Sequence, residues 1–254
     1  MKKTILLSSI LAVGAVFADG TAVVSTNAIG ALDCAITNAS NQTLIAVPFL
    51  GYDTDGKVAV KDMVKTSNLA EGSKLYVPDG TGAYNTWTLS AAGEWVADQK
   101  VTIIQNGTPT VGESANQSEA KISRGDSFWL EPIFKESATS GTIYLLGQAA
   151  GTAGASSKAA KNWNLMGNAS VSSVTLGTTG FEDGETIVVQ VAGKLRYYTF
   201  KSTKGGWRYT KSDGKWSDPS TEPLALAPGQ GFWYNAMSAK TIDWSNGTAA
   251  AKAN

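Results

Sequence analysis

The 254-residue sequence predicts an all-β protein built from two tandem, related modules. A short cassette, Gly-Asp-Ser-Phe-Trp at residues 125–129, returns as Gly-Gln-Gly-Phe-Trp at residues 229–233. Elsewhere, β-branched and aromatic residues alternate over short runs separated by glycine-containing turns, which is the pattern of strands. Hydrophobic residues make up 43% of the chain and charged residues 17%, which excludes a disordered chain. We therefore expect each module to be a β-sandwich or open barrel of about six short strands.

The first 18 residues have the features of a signal peptide. Lys2 and Lys3 precede an apolar core at residues 5–16 that is too short to cross a bilayer as a mature helix. Small residues before the end of this segment predict cleavage after Ala18. No later stretch has the length and apolarity of a transmembrane helix. We expect a secreted, periplasmic or cell-surface protein that is not transmembrane after cleavage.

Alignment of the two halves predicts the boundaries of the modules. The first module spans residues 19–147, with an N-terminal arm and an inserted surface loop near 100–119. Residues 148–161 are rich in Ala, Gly and Ser and predict a linker. The second module spans 162–247, and residues 248–254 predict a flexible tail.

Aligned positions keep the same order in both halves, which chance rarely produces. Phe and Trp are adjacent in each cassette and therefore point to opposite faces of a strand, so we expect Phe128 and Phe232 in the cores. In the second module, Gly193-Lys194 and Asp213-Gly214 predict tight hairpin turns. The alignment pairs Leu44 with Leu165, Leu75 with Ile187, Trp87 with Trp207, Trp95 with Trp216, and Trp129 with Trp233.

Charge is divided unevenly between the halves. Residues 19–148 carry 14 acidic and 8 basic residues, whereas residues 149–254 carry 7 acidic and 11 basic residues. Opposite net charges attract each other within one chain or between neighbouring chains. A solvated surface with a chance asymmetry is the alternative interpretation.

Cys34 is the only cysteine, so the chain has no internal disulfide framework. Strand alternation places it on one face with Leu32 and Ile36, which predicts a buried small side chain. An intermolecular disulfide is the alternative.

The sequence lacks the residues and motifs that most often serve in catalysis and metal binding. It contains no histidine, which removes Ser-His and Cys-His catalysis and the commonest metal ligand. Residues 53–56 resemble the start of a calcium loop, but the glutamate required at its twelfth position is replaced by Val64. We expect no metal and no cofactor.

Paired carboxylates are the remaining route to catalysis, as in glycoside hydrolysis. Such pairs are much rarer than ordinary surface carboxylates, and we expect a protein without enzymatic activity. The candidate pairs are Glu71 with Glu131 and Glu182 with Glu185.

Eight tryptophans in an exported β-protein suggest stacking on sugar rings. Trp95 and Trp216 follow hairpin turns and are candidates for exposed rings. Trp163 and Trp244 each occur in one half only, so packing within the repeat does not account for them. These four tryptophans are the aromatic candidates for ligand binding.

A basic, aromatic stretch between residues 194 and 215 adds Arg196 and Arg208 as candidate binding residues. Such a stretch is able to follow a polyanion. Nucleic acid is not expected as a partner of an exported protein. Acidic polysaccharide, or the acidic half of a neighbouring subunit, fits better, and the solvated face of a sheet is the alternative.

Three short motifs carry a resemblance to known proteins. They are Leu-Ile-Ala-Val-Pro at residues 44–48, Trp-Asn-Leu-Met-Gly-Asn at 163–168 and Pro-Gly-Gln-Gly-Phe at 228–232. The chain resembles secreted β-repeat proteins of unknown function from Verrucomicrobia-like bacteria. The resemblance implies export and a β-fold, and it supplies no catalytic residues.

These observations favour an exported, non-enzymatic structural or surface-assembly protein. It would associate with itself or with the cell envelope through its β-modules. The alternative hypothesis is a carbohydrate-binding module that uses exposed tryptophans.

Overall fold

The computed structural model shows a protein made almost entirely of β-strands, with a 3-10 turn at Ser202–Lys204. The predicted signal peptide and the calcium-like residues 53–56 lie outside the residues it describes. The described residues are 29–37, 42–50, 57–59, 64–66, 68–79, 83–97, 100–103, 109–112, 121–136, 138–148, 155–191, 193–244 and 247–253.

We call the strands before residue 149 module 1. They are β1 (Ile29–Thr37), β2 (Thr43–Ala46), β3 (Val58–Ala59), β4 (Val64–Thr66), β5 (Lys74–Pro78), β6 (Ala83–Leu89), β7 (Trp95–Ala97), β8 (Lys100–Ile103), β9 (Pro109–Gly112), β10 (Lys121–Ile122), β11 (Ser127–Glu131) and β12 (Ser140–Gln148).

We call the strands after residue 149 module 2. They are β13 (Ser156–Ala159), β14 (Asn162–Gly167), β15 (Val174–Leu176), β16 (Thr186–Val191), β17 (Lys194–Lys201), β18 (Gly206–Arg208), β19 (Ala225–Leu226), β20 (Gly231–Ala236), β21 (Lys240–Asp243) and β22 (Thr248–Ala253).

Each module consists mainly of two sheets that enclose one core. In module 1, the sheet β1-β12-β4 faces the sheet β2-β11-β5-β6-β8-β9, and β10 pairs with β3. In module 2, the sheet β13-β21-β22-β15-β19 faces the sheet β14-β20-β16-β17-β18. Each core cluster takes buried residues from both of its sheets, as expected for a sandwich. The all-β prediction is therefore confirmed.

The cassette phenylalanines lie where the sequence places them. Phe128 and Phe232 are fully buried in the cores of modules 1 and 2. The adjacent Trp129 and Trp233 lie half-buried on the outer faces of their sheets. The prediction that Phe points inward in both cassettes is confirmed.

Several segments predicted to be irregular contain strands. β8 and β9 form a hairpin within the predicted loop at 100–119. β13 lies in the predicted linker and pairs with β21. β22 occupies the predicted tail, where Ala249 and Ala251 are buried. Ala159, Ala249 and Ala251 are buried, so the small residues of β13 and β22 do not mark flexible chain. Among the described residues, each module has more strands than the six or so expected.

The two large sheets have corresponding strand orders, but the tryptophans that the sequence alignment pairs do not occupy equivalent strands. Leu75 pairs with Trp87, whereas its counterpart Ile187 pairs with Tyr198. Trp95 and Trp207 are the structurally equivalent residues. Trp95 lies on β7, which pairs with β6, and Trp207 lies on β18, which pairs with the corresponding strand β17. Their indole N–H groups donate to the carbonyls of Val64 and Gly177, both at 3.2 Å. The alignments of Trp87 with Trp207 and of Trp95 with Trp216 are therefore both shifted by one strand.

The two cassettes join the modules to each other. The N–H of Ala46 donates to Gly229 at 3.0 Å, and the N–H of Gly167 donates to Gly125 at 2.7 Å. Ala46 and Gly167 hold equivalent positions in β2 and β14, and Gly125 and Gly229 are the first residues of the cassettes. The junction therefore has the reciprocal contacts of a two-fold interface within one chain.

Glycine is required at this junction because the backbones approach closely. Both Gly125 and Gly229 have positive φ, at 88° and 71°. A Cβ on Gly125 would lie 2.0 Å from the Ser157 hydroxyl, and one on Gly229 would lie 2.7 Å from the Cys34 sulfur. Ser157 and Cys34 are themselves equivalent residues of β13 and β1. Each cassette turn therefore packs against the first strand of the other module.

Candidate functional site

The outer face of the large sheet of module 2 exposes aromatic and apolar side chains. Strand alternation places one set of residues on this face, opposite the core. Val188 belongs to this set and is nearly buried, although it is not part of the core cluster, because its neighbours on the face cover it. One row runs across β14, β20, β16 and β17 through Leu165, Trp233, Val188 and Tyr197.

β17 supplies the most exposed part of this face. Leu195 and Tyr197 are 55% and 58% exposed, whereas Tyr198 and Phe200 on the opposite side of the strand are buried. Leu195 and Tyr197 lie two residues apart and therefore project from the same face. Two large apolar side chains next to each other on a strand provide a surface that can pack against the face of a ligand.

An open groove of about 890 Å³ lies beside these two side chains. One wall is formed by the start of β17 and the other by the hairpin that follows β18. The lining combines apolar surface with three basic side chains, so the groove suits a ligand that has both apolar faces and negative charge. The lining residues are Val191, Lys194, Leu195, Arg196, Tyr197, Tyr209, Thr210, Lys211 and Ser212.

Arg196 lines the groove from the side of β17 opposite Leu195 and Tyr197, and an aromatic ring holds it there. Its guanidinium carbon lies 4.4 Å from the centre of the Tyr209 ring, a cation–π contact. Tyr209 in turn packs edge-on against Tyr198, with ring centres 5.1 Å apart. The positive charge therefore has a defined position before any ligand binds, which lowers the ordering cost of binding.

Glu222 holds the opposite wall of the groove. Its carboxylate accepts hydrogen bonds from Lys211 at 2.8 Å and from the Tyr209 hydroxyl at 3.1 Å. The hydrogen bond from Lys211 lowers the pKa of Glu222 and raises the pKa of Lys211. Burial and then the neighbouring Glu222 raise the pKa of Tyr209. All three groups therefore keep their ordinary charge states over a wide range around neutral pH.

Three of the predicted binding residues lie on or beside this surface. Arg196 lines the groove, and Arg208 lies next to it on β18, with its Nε donating to Ser217 at 2.6 Å. Trp216 is 49% exposed and pairs with Thr210 in the hairpin that forms the groove wall. Of the three, Arg196 lines the groove, whereas Arg208 and Trp216 lie beside it on β18 and on the hairpin that follows.

Trp163 belongs to the same outer face but lies further away. It is 52% exposed on β14, the edge strand of the sheet. Three strand spacings separate β14 from β17, about 14 Å. A chain of several sugar units would be needed to contact both Trp163 and Tyr197.

The two other predicted tryptophans are not available to a ligand. Trp244 is fully buried, where it packs against Phe232 and donates to the Ser157 hydroxyl at 2.9 Å. Trp95 is half-buried against the core of module 1, and its indole N–H is bound to Val64. Trp244 was a candidate for ligand binding, but its ring is fully buried beside β13, a strand distant in sequence, and no ligand can reach it. Trp95 is part of the framework.

Sequence reasoning did not single out Leu195 and Tyr197 as binding residues. The available signal was the period of two along β17, which places Leu195 and Tyr197 on the side opposite Arg196. That pattern identifies two faces without showing which of them carries a neighbouring groove.

The matching face of module 1 is more polar. There Tyr76 donates to Glu131 at 2.6 Å, and Gln42 also bonds to Glu131. Trp129 is half-buried between these strands. A carboxylate thus occupies the area that corresponds to the aromatic surface of module 2, and an anionic ligand would be repelled there.

A lysine forms ion pairs with both carboxylates of the candidate pair Glu182 and Glu185. Lys240 Nζ lies 2.5 Å from Glu185 and 3.1 Å from Glu182. Glu185 and Lys240 are fully buried. This pair therefore has a structural role and does not form a catalytic pair open to substrate.

Neither a metal centre nor a known protein family adds to this geometry. Within the described ranges, no group of His, Cys, Asp and Glu side chains is arranged to hold a metal ion. No helix in this part of the chain has the length and apolarity needed to cross a membrane. No protein-family model matches the chain, and no curated protein or solved structure shows significant similarity to it. The resemblance to secreted β-repeat proteins therefore stays a prediction, and the chain is characterised by its own geometry.

Proposed function

We propose that this protein is an exported, non-enzymatic surface protein with a duplicated β-module, and that module 2 binds acidic polysaccharide through the groove beside β17. The observation that carries the proposal is the open groove at the start of β17, which is lined by the exposed Leu195 and Tyr197 and, from the other side of the strand, by the fixed charge of Arg196. Sugar rings have apolar faces that pack on such side chains, and uronic acid groups carry the complementary charge.

The charge of the whole half supports an anionic ligand. Residues 149–254 carry four more basic than acidic residues. Lys194 and Arg196 line the groove, as does Lys211, whose charge is paired with Glu222. The groove therefore carries a net positive charge beside the exposed apolar surface. A positive groove also speeds the encounter with a polyanion at low salt.

Export and surface location rest on the signal-peptide features of residues 1–18. An acidic polysaccharide is a component that an exported protein meets at a cell envelope. Binding through one module would leave module 1 free to contact other components. Self-association is the alternative function that the sequence suggests.

Replacement of Tyr197 by alanine is expected to weaken binding of polygalacturonate, a polyuronate, by about tenfold. Loss of one aromatic contact costs roughly 1.4 kcal/mol. Isothermal titration calorimetry with polygalacturonate and with neutral dextran measures the effect. Tyr144→Ala, which removes an exposed tyrosine from β12 of module 1, is the matched control and should bind as the unmodified protein does. Equal binding by Tyr197→Ala and Tyr144→Ala, or equal affinity for dextran, would contradict the proposal.

Binding should be nearly independent of pH between about 5 and 9. The chain has no histidine. The pKa of Glu222 is lowered from 4.5, so this carboxylate stays charged above pH 5. The pKa of Lys211 is raised from 10.5, so its charge persists beyond pH 9. Titrations at pH 5, 7 and 9 and constant ionic strength test this, and a midpoint near neutral pH would be inconsistent with the assigned charges.

A further inference from the structure

Two parallel rows of side chains cross the outer face of the large sheet in module 2. The first, which we call the apolar row, consists of Leu165, Trp233, Val188 and Tyr197. The second runs beside it, one residue from each of the five strands, and each residue is directly paired with the next across the sheet. Directly paired residues project from the same face. We call this second set the polar row, and its members are Trp163, Asn235, Thr186, Thr199 and Arg208.

The polar row has an aromatic ring at one end and a cation at the other. Trp163 is 52% exposed on β14, and Arg208 on β18 is held by the hydrogen bond of its Nε to Ser217. Between them, Asn235 and two threonines are partly exposed. Their amide and hydroxyl groups both donate and accept hydrogen bonds, as sugar hydroxyls do. Neither row contains an acidic residue, so nothing in the two rows repels an anionic ligand.

Module 1 has the same strand geometry with different chemistry. Glu131 is equivalent to Asn235, since each is the second residue after the cassette tryptophan. The Glu131 carboxylate accepts hydrogen bonds from Tyr76 and from Gln42, and Gln42 holds the place of Trp163. In module 1 these groups therefore bond to each other, whereas module 2 has a neutral amide and an exposed indole at the same positions.

Both rows lead to the groove beside β17. Tyr197 ends the apolar row and lines the groove, and Arg208 ends the polar row beside it. On the far side of the apolar row, module 1 forms a border, because the side chain of Gln190 donates to the Gln42 carbonyl at 2.9 Å. The two rows therefore form a track that module 1 bounds on one side and that continues the positively charged groove.

We propose that a linear acidic polysaccharide lies across the strands of module 2, from the groove along the two rows to Trp163. This inference rests on the proposed function and assigns its ligand a direction and a length. Sugar rings pack on the apolar row, while their hydroxyl groups bond to the polar row and their carboxylates lie nearest the basic end. Five strands span four spacings, about 19 Å. A linear sugar chain advances by about one strand spacing per unit, so the track accommodates about five units.

The dependence of affinity on ligand length tests this arrangement without any variant. Isothermal titration calorimetry with galacturonate oligomers, from the trimer to the octamer, should show affinity that rises up to about the pentamer and then levels off. Oligomers beyond that length extend past β14, the edge strand of the sheet. Equal affinity for the trimer and the octamer would overturn the arrangement.

Two variants introduce residues of module 1 into the polar row. Trp163→Gln should weaken octamer binding by about tenfold and leave trimer binding unchanged, because the trimer stays at the basic end. Asn235→Glu should weaken octamer binding by about fivefold through repulsion of the ligand carboxylates. Ser156→Glu adds the same charge at an exposed position of β13, in the other sheet of module 2, and should bind the octamer as the unmodified chain does.

The outcomes separate this inference from the proposed function. Octamer binding that neither Trp163→Gln nor Asn235→Glu weakens would refute the track, even where Tyr197→Ala still shows that the groove binds. Failure of the proposed function has a different signature, since neither trimer nor octamer would then bind in a manner that depends on Tyr197. Circular dichroism checks that each variant is folded.

Discussion

Lys240→Met is expected to destabilise the protein by about 3–5 kcal/mol. Lys240 and Glu185 are fully buried, and Glu185 also accepts backbone N–H groups from Glu182 at 3.1 Å and Met237 at 3.2 Å. Removal of the lysine leaves a buried carboxylate without its counter-charge, while the turns that bind this carboxylate hold it in place. Urea denaturation followed by tryptophan fluorescence measures the change.

The same substitution at an exposed lysine provides the control. Lys252 pairs with Asp243 at 3.1 Å near the surface, and Lys252→Met should change stability by less than about 1 kcal/mol. Adding Glu185→Gln to Lys240→Met should recover much of the loss, because the uncompensated charge is gone. Equal effects of Lys240→Met and Lys252→Met would show that the buried pair contributes nothing specific.

Gly167→Ala should destabilise the junction between the modules by about 1–3 kcal/mol. Its Cβ would lie 2.1 Å from the Cβ of Ala46 and 2.9 Å from its Cα. The N–H of Gly167 also bonds to Gly125, so movement of β14 to relieve the overlap breaks a contact across the junction. Thermal unfolding measured by circular dichroism reports the loss.

A reciprocal exchange tests the reason for this effect. Ala46 and Gly167 occupy equivalent positions, and the space between them has room for a single methyl group. The double variant Ala46→Gly/Gly167→Ala should therefore be more stable than the sum of its two single changes predicts. Some loss should remain, because the new Cβ still lies 2.7 Å from the Ser127 hydroxyl. Strict additivity would mean that the two positions do not compete for the same space.

The sequence predicted the architecture better than the site. The β-class and the inward phenylalanines follow from alternation, which is a local property of the chain. The burial of Trp244 depends on Ser157, 87 residues earlier, and local patterns carry no information about that contact. The exposure of Tyr197 likewise depends on which neighbouring strands cover the sheet.

The buried ion pair shows why aligned residues can differ in chemistry. In module 1, Ser73 holds the place of Glu185: its hydroxyl accepts from the Ile133 N–H at 2.9 Å and donates to Ala70 at 2.9 Å. Register places Gly141 where module 2 has Lys240. A neutral hydroxyl needs no counter-charge. Ser73 therefore occurs together with Gly141 in module 1, whereas Glu185 occurs together with Lys240 in module 2. Sequence alignment gives these pairs, but only the packing shows that they compensate each other.

The junction between the cassettes also limits how a chain of this kind can grow. In a reciprocal contact each module buries the same surface against the other, so no equivalent surface is left for a third module. If one more module were added to the end of the chain, its cassette glycine turn would have no second cassette to pack against. Longer proteins made of this unit should contain even numbers of modules, arranged as a series of closed pairs.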